Sequence, residues 1–381
     1  MIAVIADDFT GAAEIGGVAL RHGLKVVIET DVNGVRDVDV VIVATNTRSM
    51  HPEEAAVEVR SIVKSLQRLN PRFIFKKLDS VLRGNVMAEL EAQMDEEGLD
   101  RCLVVAGNPD FKRLIKDGRY YIDDVPLEET LFSNDPDFPL MSSCVLDLVG
   151  TGKRGNFNLS CMQEFPEEGI VFGDVENKDD MRVWAGRIDK GLLPAGGSGF
   201  FNAVLSHGRA WPTSEVKRFE QSGDRALFVF GSAYPKSSST TQRLNASGIS
   251  IVYMPDELYW NRDAEGAAFD KWVGRVLDAL TEGKRVAVAT ASTSNKEVGL
   301  SLRIQKLYAA LVAEVMQHLP LSDLLIEGGA TTSEILSRLN IRKLYPYREI
   351  DTGVIQMNTD TYPFLCLTTK PGSYLWPEHF F

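Results

Sequence analysis

Short apolar runs alternating with longer amphipathic stretches set the pattern of this chain. Residues 2–6 form an uninterrupted apolar run, followed at once by Asp7, Asp8, Thr10 and Gly11. Residues 12–21 then place Ala12, Ile15, Ala19 and Leu20 on one side at helical spacing. Residues 25–28 and 38–44 are β-branched runs, and 52–69 reads as an amphipathic helix. Pro52 opens that helix, at a position where the missing N–H costs nothing. Residues 73–75 are a buried-type strand ending in Lys76-Lys77, 84–97 a helix and 103–106 a strand. Strands that alternate with helices in this way predict a mainly parallel sheet with helices on both faces.

The middle is less regular. Residues 110–137 are rich in charge and tyrosine and predict a hairpin and loops. Residues 145–149 and 169–172 read as strands, 179–191 as a helix, and Pro194 to Gly199 as a glycine-rich turn opening onto 200–205. The polar stretch 207–223 is the linker candidate, and a second α/β series follows it. Strands are expected at 226–230, 249–253, 286–289 and 324–326, with helices over 239–246, 264–281, 302–318 and 333–339. Strands near 343–350 and 364–368 close the chain. The expected fold is therefore α/β, two domains, each a mainly parallel open sheet flanked by helices, with the boundary between 1–207 and 208–381. Ligands in such sheets sit beyond the carboxyl ends of the strands, where most of the polar clusters fall.

Composition narrows the function classes. A chain of 381 residues fits two domains at roughly 100–200 residues each. Cys102, Cys144, Cys161 and Cys366 are scattered with no CxxC, which fits a reducing compartment and argues against a disulfide scaffold or zinc site. No apolar run approaches the roughly 20 residues of a bilayer helix. The first residues carry two acids and no basic region, unlike a signal peptide. Together these predict a cytoplasmic protein with no membrane partner. The formal net charge is −12, against a nucleic-acid partner, which would demand a basic face. In so acidic a chain, isolated lysines and arginines inside apolar stretches are informative.

Three constellations carry chemistry. Asp7-Asp8-Phe9-Thr10-Gly11-Ala12 sets two acids at a strand end beside the free amides of a helix start, suited to hydroxyl protons, a cation or an anion. Its plainer reading is a helix cap and a solvated acid. Lys76-Lys77-Leu78-Asp79-Ser80-Val81-Leu82-Arg83-Gly84-Asn85 concentrates three basic groups. Adjacent strand residues face opposite ways, so one lysine should reach a ligand while the other pairs elsewhere. Arg83 could clamp a carboxylate or phosphate, and Asp79, Ser80 and Asn85 suit sugar hydroxyls. Glu327-Gly328-Gly329-Ala330-Thr331-Thr332 has the strand, glycine and helix layout that lets amides approach phosphates. Gly231-Ser232 and Lys370-Pro371-Gly372-Ser373 are weaker versions, each also readable as an ordinary turn. Gly150-Thr151-Gly152-Lys153-Arg154-Gly155 matches a dinucleotide pattern, but a poor helix start follows it, and Arg154 stands where a Walker A loop needs Ser or Thr.

With the motifs at 6–12 and 76–85, the chain resembles the four-carbon acid sugar kinase family. The resemblance continues through Gly118-Arg119, Pro126 to Thr130, Ala195 to Phe200, Gly231 to Pro235 and Gly328 to Thr331, and so covers nearly the whole chain. It implies a sugar-acid-binding domain over 1–207, a nucleotide-binding domain over 208–381 and a site in an inter-domain cleft. It implies that Asp8, Lys76, Lys77, Asp79 and Arg83 meet the sugar acid. Ser232, Gly328, Gly329, Ala330, Thr331 and Gly372 would meet ATP, accompanied by Mg2+. The chain departs from the family pattern at Lys112-Arg113, more basic than usual, at Ala330, where a glutamate is usual, and at Ser373-Tyr374-Leu375.

The expectation is an ATP-dependent kinase acting on threonate, erythronate or 3-oxo-tetronate at the distal hydroxyl. Asp8 serves as base and Arg83 as a second catalytic group, with Asp7, Thr10, Lys76, Lys77, Asp79, Ser80 and Asn85 around the substrate. Metal ligands are unassigned, and a homodimer is left open. The alternatives are a non-catalytic sugar-acid sensor and a nicotinamide-dependent dehydrogenase built on the Gly150 motif.

Overall fold

The computed structural model describes residues 1–32, 37–135, 138–207, 224–231, 238–260, 265–290, 299–372, 374, 376 and 377. The chain divides into two compact units, residues 1–216 and 217–381. Of the expected linker, 207–223, His207 belongs to a helix and residues 208–223 lie outside the described residues.

The first unit begins with β1 (Ile2–Ala6), α1 (Phe9–Arg21), β2 (Val26–Glu29), β3 (Val40–Ala44), α2 (Pro52–Gln67), β4 (Ile74–Lys77), α3 (Val86–Glu97) and β5 (Arg101–Val105). It continues with β6 (Arg113–Lys116), β7 (Arg119–Ile122), β8 (Val125–Pro126), α4 (Val145–Val149), β9 (Asn156–Leu159), β10 (Gly169–Gly173), α5 (Lys178–Gly186), β11 (Leu192–Gly196) and α6 (Ser198–His207). The main sheet runs parallel in the order β2-β3-β1-β4-β11-β5-β10-β9. β1, β3, β4, β10 and β11 are buried along their whole length. Helices cover both faces, so these strands read as continuous runs rather than alternating ones. α1 packs with α6, and α2 with α3. β1 lies between β3 and β4, so the winding of the sheet reverses there. The ends of β1 and β4 flank the resulting crevice, the usual ligand position of an open α/β sheet.

Two local expectations change. Residues 145–149 form a helix, not a strand. Leu148 N donates to Cys144 O and Gly150 N to Leu146 O, and Gly150 at φ 72° ends the turn. A five-residue apolar run cannot separate the two states by pattern alone. Residues 192–196 are an interior strand, not a turn, although Pro194 lies within them. Proline is normally confined to sheet edges, so Pro194 inside an interior strand is an exception to the usual pattern. The expected hairpin and loops over 110–137 contain a three-stranded antiparallel sheet, β6-β7-β8. Bridges Ile115↔Val175 and Arg119↔Cys144 tie it to the rest of the unit.

The second unit contains β12 (Ala226–Phe230), α7 (Ser238–Ala246), β13 (Ser250–Tyr253), α8 (Glu257–Trp260), α9 (Glu265–Gly283), β14 (Arg285–Ala289) and α10 (Leu300–His318). β15 (Asp323–Glu327), α11 (Gly329–Arg338), β16 (Lys343–Asp351), β17 (Val354–Thr359) and β18 (Cys366–Lys370) complete it. β13-β14-β12-β15-β18 are parallel, and β18-β17-β16 continue antiparallel. The order β13-β14-β12-β15 repeats the winding of β2-β3-β1-β4. The reversal here falls at the ends of β12 and β15, where Gly231 and Gly328 stand.

Candidate active site

Three strand ends of the first unit supply one cluster of charges. After β1 come Asp7 and Asp8. Asp8 is the N-cap of α1, its Oδ1 accepting from Gly11 N at 2.7 Å. After β3 the chain turns through Thr45, Thr47 and Arg48, with Thr45 Oγ1 donating to Ala6 O at 3.0 Å. Arg48 reaches back across β1: Nε lies 2.8 Å from Asp7 Oδ2, Nη1 2.9 Å from Asp8 Oδ2 and 3.4 Å from Asp79 Oδ1. Burial alone would lower its pKa, but these three carboxylates raise it well above the usual value.

After β4 comes Asp79, which forms the hub of its loop. Its Oδ2 accepts from Val81 N, Arg83 N and Arg83 Nε, and its Oδ1 from Arg83 Nη2 at 2.8 Å. Burial pushes the Asp79 carboxyl up, but Arg83 and Arg48 outweigh it and hold the group well below the usual carboxylate range. Arg83 also donates to Asp135 at 2.7 Å and lies over the Phe132 ring at 5.4 Å. Leu82, buried in the same loop, adopts φ 63°. That is an outlier for a bulky residue, and such strain persists where surrounding contacts over-determine it.

The two lysines of β4 divide between the faces of the sheet, as adjacent strand residues must. Lys77 turns toward α1, its Nζ donating to Leu78 O at 2.7 Å and lying 3.9 Å from Glu14. A Cβ on Gly11 would come within 3.0 Å of that Nζ and 2.9 Å of Asp8 Oδ1, so glycine is what lets lysine and helix start approach. Lys76 turns toward α3 and is fully enclosed, paired with Glu89 at 2.5 Å. Burial raises the Glu89 carboxyl, partly offset by Lys76.

The remaining expected residues are placed as follows. Asn85 spends its amide on Thr47 O and Met50 O, both at 2.9 Å, and so anchors the turn that carries Arg48. Ser80 accepts at Oγ from Arg113 Nη1, and its carbonyl from Tyr120 Oη at 2.6 Å. Thr10 is half-buried in the first turn of α1. Arg48 joins this cluster although the sequence did not mark it, and Arg113, marked there only as a departure from the family pattern, reaches Ser80. Arg48 stands four residues beyond the end of β3, in the same kind of strand-end loop that drew attention to Asp7 and Asp8.

In the second unit, α11 begins at Gly329 with Gly328 as an N-cap that has no side-chain cap. Its first amides are thus open to an anion. Gly328 and Gly329 are half-buried, Ala330 is exposed and Thr331 is buried. Thr331 packs on Gly231, where a Cβ would meet its Oγ1 at 2.1 Å. Beside them, Glu327 Oε2 lies 3.2 Å from Lys370 Nζ and accepts from Trp376 Nε1 at 3.0 Å. Burial lowers the Lys370 pKa, opposed by Glu327. Gly372 follows in a half-buried turn, while Ser232 and Ser373 lie outside the described residues. The Gly150 loop has no nucleotide-binding geometry. It follows a helix and leads into β9, and Glu91 Oε1 accepts from Lys153 N and Arg154 N.

A family model described as a sugar-binding N-terminal domain matches residues 2–204, and one described as a nucleotide-binding C-terminal domain matches 227–374. A D-threonate kinase of Bordetella bronchiseptica is 31% identical over 98% of this chain and 94% of that protein. A 3-oxo-tetronate kinase of Brucella melitensis is 27% identical over 100% of this chain and 94% of that protein. A D-erythronate kinase of Heliobacterium modesticaldum is 26% identical over 89% and 85%. The fold matches a solved Salmonella typhimurium structure with a TM-score of 0.79 at 19% identity, over 98% of this chain and 96% of that one. With both family models matched in order and relatives aligned nearly end to end, the chain belongs to the four-carbon acid sugar kinase family.

Proposed function

We propose that this chain transfers the γ-phosphoryl group of ATP to the distal hydroxyl of a four-carbon sugar acid, namely threonate, erythronate or 3-oxo-tetronate. The observation that carries the reading is the setting of Asp8. It is the more exposed acid at the end of β1, its side chain 19% exposed against 4% for Asp7. Gly11 N and Arg48 fix its orientation, yet each carboxylate oxygen keeps a lone pair for a further proton.

Phosphoryl transfer depends on positioning and charge more than on covalent chemistry. Asp8 takes the hydroxyl proton as the substrate oxygen bonds to the γ-phosphorus and the bond from that phosphorus to the ADP oxygen breaks. General bases of this kind contribute typically about 10²–10⁴-fold. Arg83 is engaged by Asp79 and Asp135, and its role is to shape the 79–83 loop around the substrate. The open amides of α11, with Gly231, Ser232 and Gly372, take the nucleotide phosphates. Mg2+ accompanying ATP would supply charge neutralisation at the phosphates. Among the described residues no group of three or more His, Cys, Asp or Glu could hold a metal.

Calorimetry with ATP-Mg2+ and with each acid tests the reading. A kinase binds both ligands. A protein that binds an acid but not ATP-Mg2+ is a sensor, and the proposal fails.

A further inference from the structure

We infer that Arg113, on β6, receives the carboxylate of the sugar acid and so determines selectivity for acids over uncharged analogues. The inference rests on the kinase reading and assigns the recognition of the acid group within it.

The argument is one of charge balance. Asp8 belongs to a cluster that Arg48 and Arg83 link to Asp7, Asp79 and Asp135, so a substrate carboxylate entering there needs a cation not already neutralised. Arg48 is shared by three carboxylates and Arg83 by two. Lys76 is enclosed with Glu89, and Lys77, 3% exposed, is turned onto Leu78 O. Arg113 differs from all four. Among the described residues it has no carboxylate within ion-pair distance, and its side-chain bond goes to the neutral hydroxyl of Ser80. It is half-buried, so a ligand can reach it. A guanidinium has five N–H donors in a planar fork that fits a carboxylate with two parallel bonds, so one bond to Ser80 leaves most of that capacity open.

The surroundings hold this group in place. Arg113 N and O both pair with Asn108, at 3.1 and 2.7 Å. From the next strand, Tyr120 Oη holds the carbonyl of the same Ser80 at 2.6 Å. The small sheet therefore delivers a partly desolvated cation to the residue following Asp79, from backbone fixed on both sides. Desolvation and rigidity are what make a charged hydrogen bond selective.

The test measures inhibition or binding of one four-carbon sugar acid and of its neutral amide, with wild type, Arg113→Gln and Arg113→Lys. ATP-Mg2+ binding and thermal melting check that each variant folds. The expected result is an affinity loss of about 10- to 100-fold for the acid in Arg113→Gln, partial recovery in Arg113→Lys and little change for the amide. The defect should lie in KM, with kcat at saturating acid nearly retained. Two results would overturn the inference: wild-type affinity for the acid in Arg113→Gln, or equal losses for acid and amide, which would mean that Arg113 only braces the Ser80 loop. If wild type itself binds no four-carbon acid, the kinase reading falls and this inference with it. If wild type binds the acid and Arg113→Gln binds it equally, the inference alone falls.

Discussion

Asp8 and Arg48 meet at 2.9 Å although 40 residues and two strands separate them in the chain. The same guanidinium holds Asp7 at 2.8 Å, so the two adjacent acids are tied to the end of β3 by a single side chain. Asp7 is enclosed by this arrangement, while Asp8 stays reachable and also caps α1.

Asp8→Asn separates those roles. Asparagine caps helices about as well as aspartate, so α1 and the fold should persist. It cannot take the substrate proton. We expect kcat to fall about 10²–10⁴-fold with the melting temperature nearly unchanged. Steady-state kinetics beside a thermal melt reads both, and near-normal turnover would remove Asp8 from its role as base.

The Lys76–Glu89 pair behaves as a buried ion pair, fully enclosed between β4 and α3. Removing one partner strands a charge, so Lys76→Met or Glu89→Leu alone should cost about 3–5 kcal/mol. The double variant should recover most of that loss. Denaturant unfolding of all four proteins measures the coupling, and additive losses would mean that the two groups do not act as a pair.

Gly231→Ala should disturb the nucleotide unit. The added methyl would meet Thr331 Oγ1 at 2.1 Å, pushing the first turn of α11 out of place. We expect ATP affinity to fall about 10-fold or more, consistent with an overpacking cost of about 1–3 kcal/mol, while affinity for the sugar acid holds. Calorimetry with each ligand separately shows whether the defect is confined to ATP.

Glu97 gives a pH signature distant from the chemistry. Burial pushes its carboxyl up to about 7, against a hydrogen bond from Gln93 that favours the charged form. Between the unfolded value of about 4.3 and 7 the native state therefore binds more protons than the unfolded chain. This group's contribution to stability falls as pH rises through that window. Glu97→Gln should be more stable than wild type at pH 8 by on the order of 1–2 kcal/mol, the full shift being reduced by partial exposure, and the advantage should vanish near pH 4. Denaturant midpoints at the two pH values check it.

The fold was legible where burial makes strands into unbroken apolar runs, as in β1, β3 and β12. The acids that follow such runs marked Asp7, Asp8 and Asp79 as candidates, and the glycines at a helix start marked Gly328. Pattern alone could state that Lys76 and Lys77 face opposite ways. It could not state which way, because that depends on Glu89 from α3 and Gly11 from α1. Arg48 escaped notice because its partners lie 31 to 41 residues away, beyond any local spacing rule. Residues 145–149 and Pro194 were misread where short-range propensity competes with tertiary context, and context prevailed.

The central claim is most directly tested by coupled ADP release, with ATP-Mg2+ and a panel of threonate, erythronate and 3-oxo-tetronate isomers. The account predicts strong turnover with one acid and little with the rest. Silence across the whole panel, from folded protein at saturating ATP, would contradict it.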